Sequence, residues 1–266
     1  MPARIDLPPS TRTVDFISDL HLCPELPRTL ALLRHYLERT SADAVFILGD
    51  LFEAWVGDDA ATLPFEADCV SLLAAAARQR PVYVMRGNRD FLLGPAFFQA
   101  TGAIDLPDPV ALHAPGLSAQ PVLLSHGDAL CLSDTAYQQF RAQVRQPAWQ
   151  QAFLAKPLDE RQAIGAQMRA ASREHQRQQA DTPHGQASAP VTYADADPAL
   201  AQQWLAESDA QVLIHGHTHR PQTEHHASGW TRHVLCDWEV DHHQPPRAEV
   251  LRWSDRGFQR LDPAAA

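Results

Sequence analysis

The chain has 266 residues, of which 45% are hydrophobic and 20% are charged. A chain of this length can bury a full core as one large α/β domain or as a core with a sizeable insertion, and the composition excludes a disordered or fibrous protein. Lys+Arg of 22 against Asp+Glu of 32 give a formal charge of −10, which argues against general affinity for nucleic acid.

The first residues, MPARIDLPPSTRTV, contain no apolar segment of the kind that directs export. No apolar run in the sequence approaches the roughly 18 residues that span a membrane. The four cysteines are dispersed and show neither disulfide nor metal-site spacing, which is typical of reduced thiols in a cytosolic protein. We therefore expect neither export nor a membrane span.

Five short apolar runs each stop at a polar signature. The runs are VDFIS, AVFIL, VYVM, VLLS and QVLI, and the signatures are DLH at 19–21, GD at 49–50, GNRD at 87–90, HGD at 126–128 and GHTH at 216–219. Short runs rich in Val and Ile predict strands that are covered on both faces. Helical patterns between the first three runs, from Pro27 and from Phe65, indicate the βαβ alternation of an α/β fold. Because ligands bind beyond the carboxyl ends of such strands, we expect the five signatures to meet at one edge.

The segment after Asp134 has helical patterning and predicts an inserted helical cap over 135–197 within a single domain of 1–266. Its last part, DTPHGQASAP, predicts a mobile linker. Residues 136–180 contain seven cations and three anions. Any one of these arginines is best explained as part of a solvated helix face. Taken together, and beside the polar edge of the sheet, the cations favour a functional role. Further along, TRHVLCDW and AEVLRW predict consecutive strands of an antiparallel portion.

The signatures hold hard oxygen and imidazole ligands, the set that suits divalent manganese, zinc or iron. Seven ligands are too many for one ion, but they divide into two groups of four if one carboxylate bridges two ions. Two ions about 3.5 to 4 Å apart can activate a water molecule and neutralise the charge on a phosphoryl group. We assign Asp50 as the bridge. One group is then Asp19, His21, Asp50 and His219, and the other is Asp50, Asn88, His126 and His217.

None of these motifs is specific alone. DxH occurs by chance, a lone GD is commonly a turn, and a buried histidine is more often a hydrogen-bonded core residue than a ligand. The alternating histidines of HGHTH point to one face of a strand, with a surface cluster as the alternative. Five signatures in one order after five apolar runs are far more specific, and they favour a metal site.

From Phe16 to about Pro221 this order resembles the calcineurin-like metallophosphoesterases, which implies a four-layer αββα sandwich. The strings ILGDLFEAWVGDD, RGNRDFLLG, HGDALCLSD and IHGHTHRP are similar to those of the UDP-2,3-diacylglucosamine diphosphatase family of lipid A biosynthesis. The resemblance implies a pair of Mn²⁺ ions and water attack on the α-phosphorus of UDP-2,3-diacylglucosamine, which yields UMP and 2,3-diacylglucosamine 1-phosphate. The catalytic residues that it implies are Asp50, Asn88, Arg89 and His126.

Arg89 stands where many metallophosphoesterases carry the histidine of a GNH motif. A guanidinium cannot act as the acid at neutral pH. It can stabilise charge on the pyrophosphate, and a phosphate leaving group needs little protonation. A structural ion pair with Asp90 is the alternative, although the position beside a ligand favours function.

The resemblance also implies contacts with the substrate, through the metal edge and through the cap. At two cap positions this chain has glutamine where related enzymes have Asn and Lys, and we expect Arg173 or Arg177 to supply the missing cation. Tyr137 is a further candidate, with a core aromatic as its alternative. The expected substrate-binding residues are Asn88, Arg89, Asp134, Ser172, Gln176, Gln179 and His217.

Apolar residues of the cap predict either helix packing or a groove for two acyl chains. We expect peripheral contact with the cytoplasmic face of the inner membrane through apolar and basic residues, with no nucleic acid and no obligate protein partner. A soluble nucleotide pyrophosphatase or phosphodiesterase is one alternative, which the cap and the FEAWVGDD string disfavour. A non-catalytic scaffold on the same fold is the other, which the presence of all seven ligands disfavours.

Overall fold

A computed structural model describes residues 2–180 and 195–266, with the side chains of 2–170 and 195–266. The strands are β1 (Ala3–Asp6), β2 (Val14–Ile17), β3 (Ala44–Leu48), β4 (Val82–Met85), β5 (Ile104–Leu106), β6 (Val110–His113), β7 (Val122–Ser125), β8 (Val212–His215), β9 (Gln222–His225), β10 (Thr231–Val234), β11 (Val250–Ser254) and β12 (Gly257–Leu261). The helices are α1 (Pro27–Arg39), α2 (Pro64–Ala77), α3 (Pro95–Thr101), α4 (Thr135–Val144), α5 (Pro147–Leu154), α6 (Leu158–Ala180) and α7 (Pro198–Glu207).

The strands form two six-stranded sheets, with the orders β12-β11-β2-β3-β4-β5 and β1-β6-β7-β8-β10-β9. All five predicted strands are present, and they divide between the sheets. Strands β2, β3 and β4 run parallel in the first sheet, and β7 and β8 run parallel in the second. The carboxyl ends of both sets carry the polar signatures, so the expected edge is built by two sheets.

The core lies in three layers. On β3, Phe46 and Leu48 point between the sheets, where Phe46 stacks on Tyr83 of β4 with 4.3 Å between ring centroids. The alternate residues Val45 and Ile47 pack against α1, α2 and α3 on the outer face, as the two-residue repeat of a strand requires. The outer face of the second sheet packs against α7. This arrangement confirms the predicted four-layer αββα sandwich.

The C-terminal strands pair differently from the prediction. Strand β10 runs parallel to β8 and antiparallel to β9, whereas β11 lies in the other sheet, antiparallel to β2 and β12. The two runs are consecutive strands but not neighbours, because the chain changes sheet between them. At this crossing the backbone N–H of Trp238 donates to the carbonyl oxygen of Asp19 at 3.0 Å.

Three helices, α4 to α6, occupy the segment whose sequence has helical patterning. Asp134 caps α4 by accepting a hydrogen bond of 3.0 Å from the backbone N–H of Tyr137, and Pro147 begins α5. The predicted linker DTPHGQASAP lies outside the described residues. Among the described helices, none combines the length and apolar character that a membrane span requires.

Candidate metal centre

Five of the seven predicted ligands have strained backbone near the strand ends. Positive φ angles of 49 to 66° occur at Asp19, His21, Asp50, His217 and His219. In the described part of the chain, Asp209 is the only other non-glycine residue with a positive φ angle. Left-handed backbone is costly for residues with a Cβ atom, and such strain clusters at functional sites. The strained residues and the predicted ligands are nearly the same set.

One group of ligand atoms converges on Asp19, which is fully buried. Its Oδ2 accepts a hydrogen bond of 2.9 Å from the backbone N–H of His217. Its Oδ1 has no hydrogen-bond partner of acceptable geometry and lies 3.3 Å from Nε2 of His219. Nε2 of His21 lies 3.2 Å from the same nitrogen. Burial raises the pKa of Asp19, but the close approach and charge of His219, together with the charges of His126 and His21, outweigh it and hold the pKa below its usual range. A carboxylate and two imidazole nitrogens that face one point fit a divalent cation.

A second group gathers around Asn88. Its Oδ1 lies 3.0 Å from Nε2 of His126 and 2.8 Å from Nδ1 of His217. Asp50 Oδ1 lies 3.7 Å from His126 Nε2, between the two groups. Ligand atoms of Asp19, Asp50 and His126 also lie within 4.8 Å of one another. The structure therefore brings all seven predicted ligands together.

Oxygen atoms outside the predicted ligand set lie beside Nδ1 of three imidazole rings. Nδ1 of His126 donates to the carbonyl oxygen of Leu48 at 2.9 Å. Nδ1 of His21 lies 3.3 Å from Oε2 of Glu53, and Nδ1 of His219 lies 3.7 Å from Oδ2 of Asp237. These contacts leave Nε2 of each ring facing the centre, as in carboxylate–histidine–metal arrangements. Our sequence reasoning missed both carboxylates; Glu53 lies inside the FEAWVGDD string, whereas no motif pointed to Asp237.

Glycines of the signatures allow close approach. A Cβ atom on Gly87 would lie 2.0 Å from Oδ1 of Asp50. A Cβ atom on Gly49 would lie 2.3 Å from Nδ1 of His126, and its φ angle of +92° is one that L side chains rarely adopt. Gly49 and Gly87, which precede Asp50 and Asn88 in the chain, are therefore part of the site.

Arg89 and Asp90 have separate roles. Buried Asp90 accepts hydrogen bonds from the backbone N–H groups of Leu51 at 2.8 Å and Gly87 at 2.7 Å. The carboxylate of Asp90 thus binds backbone donors, in place of the ion pair with Arg89 that was the alternative. Burial and the charge of Asp50 raise its pKa to about 6. The backbone N–H of Arg89 donates to Asp50 Oδ1 at 2.8 Å, and its Nε is buried without a hydrogen-bond partner. The guanidinium thus stays close to the ligands.

A cavity of about 460 Å³ separates the metal edge from α4, α5 and α6. Its polar lining includes Asn88, Arg89 and the predicted substrate contact Asp134. Tyr137 also lines it, with its ring centroid 5.8 Å from that of His217. Arg169, one of the seven cations of 136–180 but not a predicted substrate contact, contributes a buried Nε without a hydrogen-bond partner. The apolar lining residues are Trp55, Val56, Phe91, Leu92, Phe140, Trp149, Phe153 and Met168.

The remaining predicted contacts lie on α6. Its backbone continues to Ala180, but the side chains of Ser172, Gln176 and Gln179 lie outside the described residues. The same holds for Arg173 and Arg177. These five assignments stay predictions.

Cations of the helical segment are mostly paired within the protein. Arg141 and Arg145 approach Asp128 at 2.8 and 3.6 Å. Arg161 is buried and pairs with Asp59, and Lys156 pairs with Glu160. Of the five cations whose side chains are described in 136–170, four are therefore paired within the protein, whereas the fifth, Arg169, lines the cavity.

Comparisons with known proteins agree with this geometry. The profile of the calcineurin-like phosphoesterase family matches residues 12–221. The UDP-2,3-diacylglucosamine hydrolase of Chromobacterium violaceum is 46% identical over 253 residues, which cover 93% of this chain and 98% of that protein. The chain belongs to the calcineurin-like phosphoesterases and, within them, to the family of the UDP-2,3-diacylglucosamine hydrolases.

The hydrolase of Xanthomonas campestris pv. campestris is 45% identical over 231 residues, which cover 85% of this chain and 91% of that protein. Among solved structures, Vacuolar Protein Sorting 29 from Cryptosporidium parvum covers 92% of this chain and 86% of its own, with a TM-score of 0.45 and 15% identity. Membership of the calcineurin-like phosphoesterases confirms the predicted enzyme class, a hydrolase that binds divalent metal.

Proposed function

We propose that the chain hydrolyses the pyrophosphate bond of UDP-2,3-diacylglucosamine in lipid A biosynthesis. The observation that carries this proposal is the cavity of about 460 Å³, which has Asn88 and Arg89 among its polar residues and aromatic and aliphatic side chains over most of the rest of its lining. Polar residues suit a pyrophosphate, and an apolar lining suits acyl chains. The names of the two relatives support the same substrate.

The proposed centre takes two Mn²⁺ ions, with Asp50 shared between the groups. Support comes from the converging donor atoms and from Asp19 Oδ1, a buried carboxylate oxygen without a well-aligned hydrogen bond. When bound, such a pair supplies an activated water and neutralises phosphoryl oxygens. The proposed ligands are Asp19, His21, Asp50 and His219 for one ion, and Asp50, Asn88, His126 and His217 for the other.

The protein side chains then hold and orient the pyrophosphate. Arg89 stays protonated at neutral pH, so its guanidinium offsets negative charge on the phosphates throughout the reaction. Its backbone hydrogen bond to Asp50 holds the main chain of Arg89 beside the proposed ligands. Water oxygen bonds to the α-phosphorus, and the bridging oxygen leaves with the β-phosphate, so the products are UMP and 2,3-diacylglucosamine 1-phosphate.

Further substrate contacts are proposed on the helices that cover the cavity. Asp134 lines the cavity beside Arg89 and therefore lies within reach of a sugar or ribose hydroxyl. Asn88 and His217 are proposed to contact the substrate as well as a metal ion. Ser172, Gln176 and Gln179 follow along α6 and complete the proposed set.

We propose peripheral association with the cytoplasmic face of the inner membrane. Phe140, Leu154 and Met168 are 37%, 42% and 37% exposed on the helices that cover the cavity. Phe140 and Met168 also line the cavity, so its apolar lining continues to the surface. Exposed apolar side chains of this kind insert at a lipid interface. The formal charge of −10 supports the proposal that nucleic acid is not a partner, and no obligate protein partner is proposed.

The test is to incubate the purified protein with Mn²⁺ and UDP-2,3-diacylglucosamine and to detect UMP by mass spectrometry. In oxygen-18 water the label is expected in UMP, and label in the lipid phosphate would contradict attack at the α-phosphorus. Equal turnover of a water-soluble UDP-sugar would favour a soluble nucleotide pyrophosphatase. Bound metal without turnover of any diphosphate would favour a binding scaffold.

A further inference from the structure

Helix α4 docks on the turn after His126 through one buried carboxylate. The Asp128 side chain is fully buried, and its Oδ2 accepts hydrogen bonds from the Tyr137 hydroxyl and, at 2.8 Å, from Nε of Arg141. A guanidinium nitrogen of Arg145 lies 3.6 Å from the same oxygen. Two side chains of α4, and that of Arg145 directly after the helix, therefore approach one oxygen atom of the sandwich.

Backbone contacts strengthen this docking. Nε2 of Gln138 donates to the carbonyl oxygens of Asp128 at 2.8 Å and Cys131 at 3.1 Å. Arg145 donates to the carbonyl oxygen of Gly87 at 2.9 Å, directly before Asn88 in the chain. The helix thus contacts two of the loops that carry proposed ligands, so a shift of α4 changes its position relative to both.

The other side of α4 faces the cavity. Asp134, at the start of the helix, and Tyr137, one turn later, both line the cavity. Because the Tyr137 hydroxyl is engaged by Asp128, that carboxylate fixes the ring beside His217. Buried hydrogen bonds to a charged group are among the stronger side-chain contacts, so this one carboxylate determines much of the helix position.

We propose that Asp128 is a positioning residue that holds α4 where Asp134 and Tyr137 can meet the sugar nucleotide. The role is to select the large substrate, whereas a small phosphodiester needs only the metal edge. This inference rests on the proposed function. It separates recognition by the helical segment from hydrolysis at the ligand loops.

The test compares two variants. Asp128→Asn keeps the shape of the side chain but removes its charge, and Arg141→Met removes the guanidinium that donates a hydrogen bond to Asp128. Lys156→Gln is the matched control, because Lys156 pairs with Glu160 inside the helical segment and not with the sandwich. KM and kcat are measured for UDP-2,3-diacylglucosamine, and turnover of bis(p-nitrophenyl) phosphate and manganese content are measured alongside.

We expect KM for the lipid substrate to rise about ten-fold or more in both variants, the effect of losing one hydrogen bond to a charged group. The double variant should be little worse than either single one, because both changes remove the same contact. Diester turnover and manganese content should stay at the wild-type level in Arg141→Met, and Lys156→Gln should match the wild type throughout.

Unchanged KM in Arg141→Met would overturn the inference, and this variant carries the test if Asp128→Asn fails to fold. Loss of metal in Asp128→Asn with normal KM in Arg141→Met would also overturn it. Asp128 would then stabilise only the loop that carries His126, and not the position of α4. Wild-type turnover is measured first. A wild-type protein without turnover of the lipid substrate contradicts the proposed function, whereas variants with wild-type KM contradict only the inference about Asp128.

Discussion

The Asp50 carboxylate accepts a hydrogen bond of 2.8 Å from the backbone N–H of Arg89. The carboxylate that we propose as the bridge is therefore attached to the residue that we propose as the phosphate-binding cation. Because Arg89 makes this bond through its backbone, a side-chain change at Arg89 leaves the bond in place and tests the role of the cation alone.

Asp50→Asn should abolish metal binding in at least one ligand group. The amide keeps the side-chain volume but removes the charge that both groups share, so hydrolysis should fall by more than the roughly 10–100-fold that outer partners of a metal site contribute. Metal content by mass spectrometry and turnover are the measurements. Asp105→Asn is the control, since Asp105 is a half-exposed carboxylate paired with Arg86. Full metal content in Asp50→Asn would contradict the bridging role.

Arg89→Met should lower kcat and leave the metal content unchanged. The guanidinium is proposed to stabilise charge in the transition state, and removing one such group costs roughly 10²–10³-fold in kcat. Arg86→Met provides the comparison three residues earlier, because Arg86 donates to Asp105 and to the carbonyl oxygen of Leu93. Equal losses of kcat in both variants would show that a change in the loop conformation, and not loss of the Arg89 cation, lowers kcat.

Gly87→Ala should displace the Asp50 carboxylate, since the new Cβ atom would lie 2.0 Å from Oδ1. We expect weakened binding of Mn²⁺ in a calorimetric titration. Gly102→Ala is the matched variant: its φ angle is +68°, but its Cβ would meet the nearest atom, on Ala77, at 3.7 Å. That change should lower the free energy of unfolding by roughly 1–2 kcal/mol with normal metal binding. Normal metal binding in Gly87→Ala would contradict the close contact.

His233 should make stability depend on pH. Burial, together with the charges of Arg260 and His225, lowers the pKa of His233 from 6.5 to about 4. The unfolded chain therefore takes up the proton first as pH falls. The stabilisation is complete above pH 6.5 and is lost as the pH falls from 6.5 towards 4.

His233→Gln tests this, because the amide can retain the hydrogen bond with Thr223, which is 3.0 Å in the native protein. Between pH 7.5 and pH 5 the unfolding free energy of the wild type should fall by about 2 kcal/mol more than that of the variant. Denaturant titrations at the two pH values measure the difference. Parallel pH profiles would contradict it.

The sequence predicted the centre of the fold well because each of the five strands is a short apolar run that ends at a polar residue. It could not assign those strands to sheets, since buried parallel strands in either sheet have the same pattern. The interior strand β6 was missed, and so were the four edge strands, β1, β5, β9 and β12. Most residues of the edge strands are at least partly exposed, so their apolar repeat is weak.

The site divides in the same way. The proposed ligands were predictable because each lies within a few residues of the end of a strand, in a short motif. Glu53, Asp237 and Asp128 act through contacts made only in the folded protein, such as Asp237 with His219. The sequence also counted Arg141 as part of a basic surface, because pairing with Asp128 depends on how α4 docks.

The ligand set is divided between the two sheets: Asp50 and Asn88 follow strands of one sheet, and His126 and His217 follow strands of the other. The thickness of the layer between the sheets therefore sets how far apart the two halves of the centre stand. Side chains between the sheets, such as Phe46, therefore set the distance between the two halves of the proposed metal centre. Smaller side chains in that layer would therefore lower the rate of hydrolysis although every proposed ligand is retained.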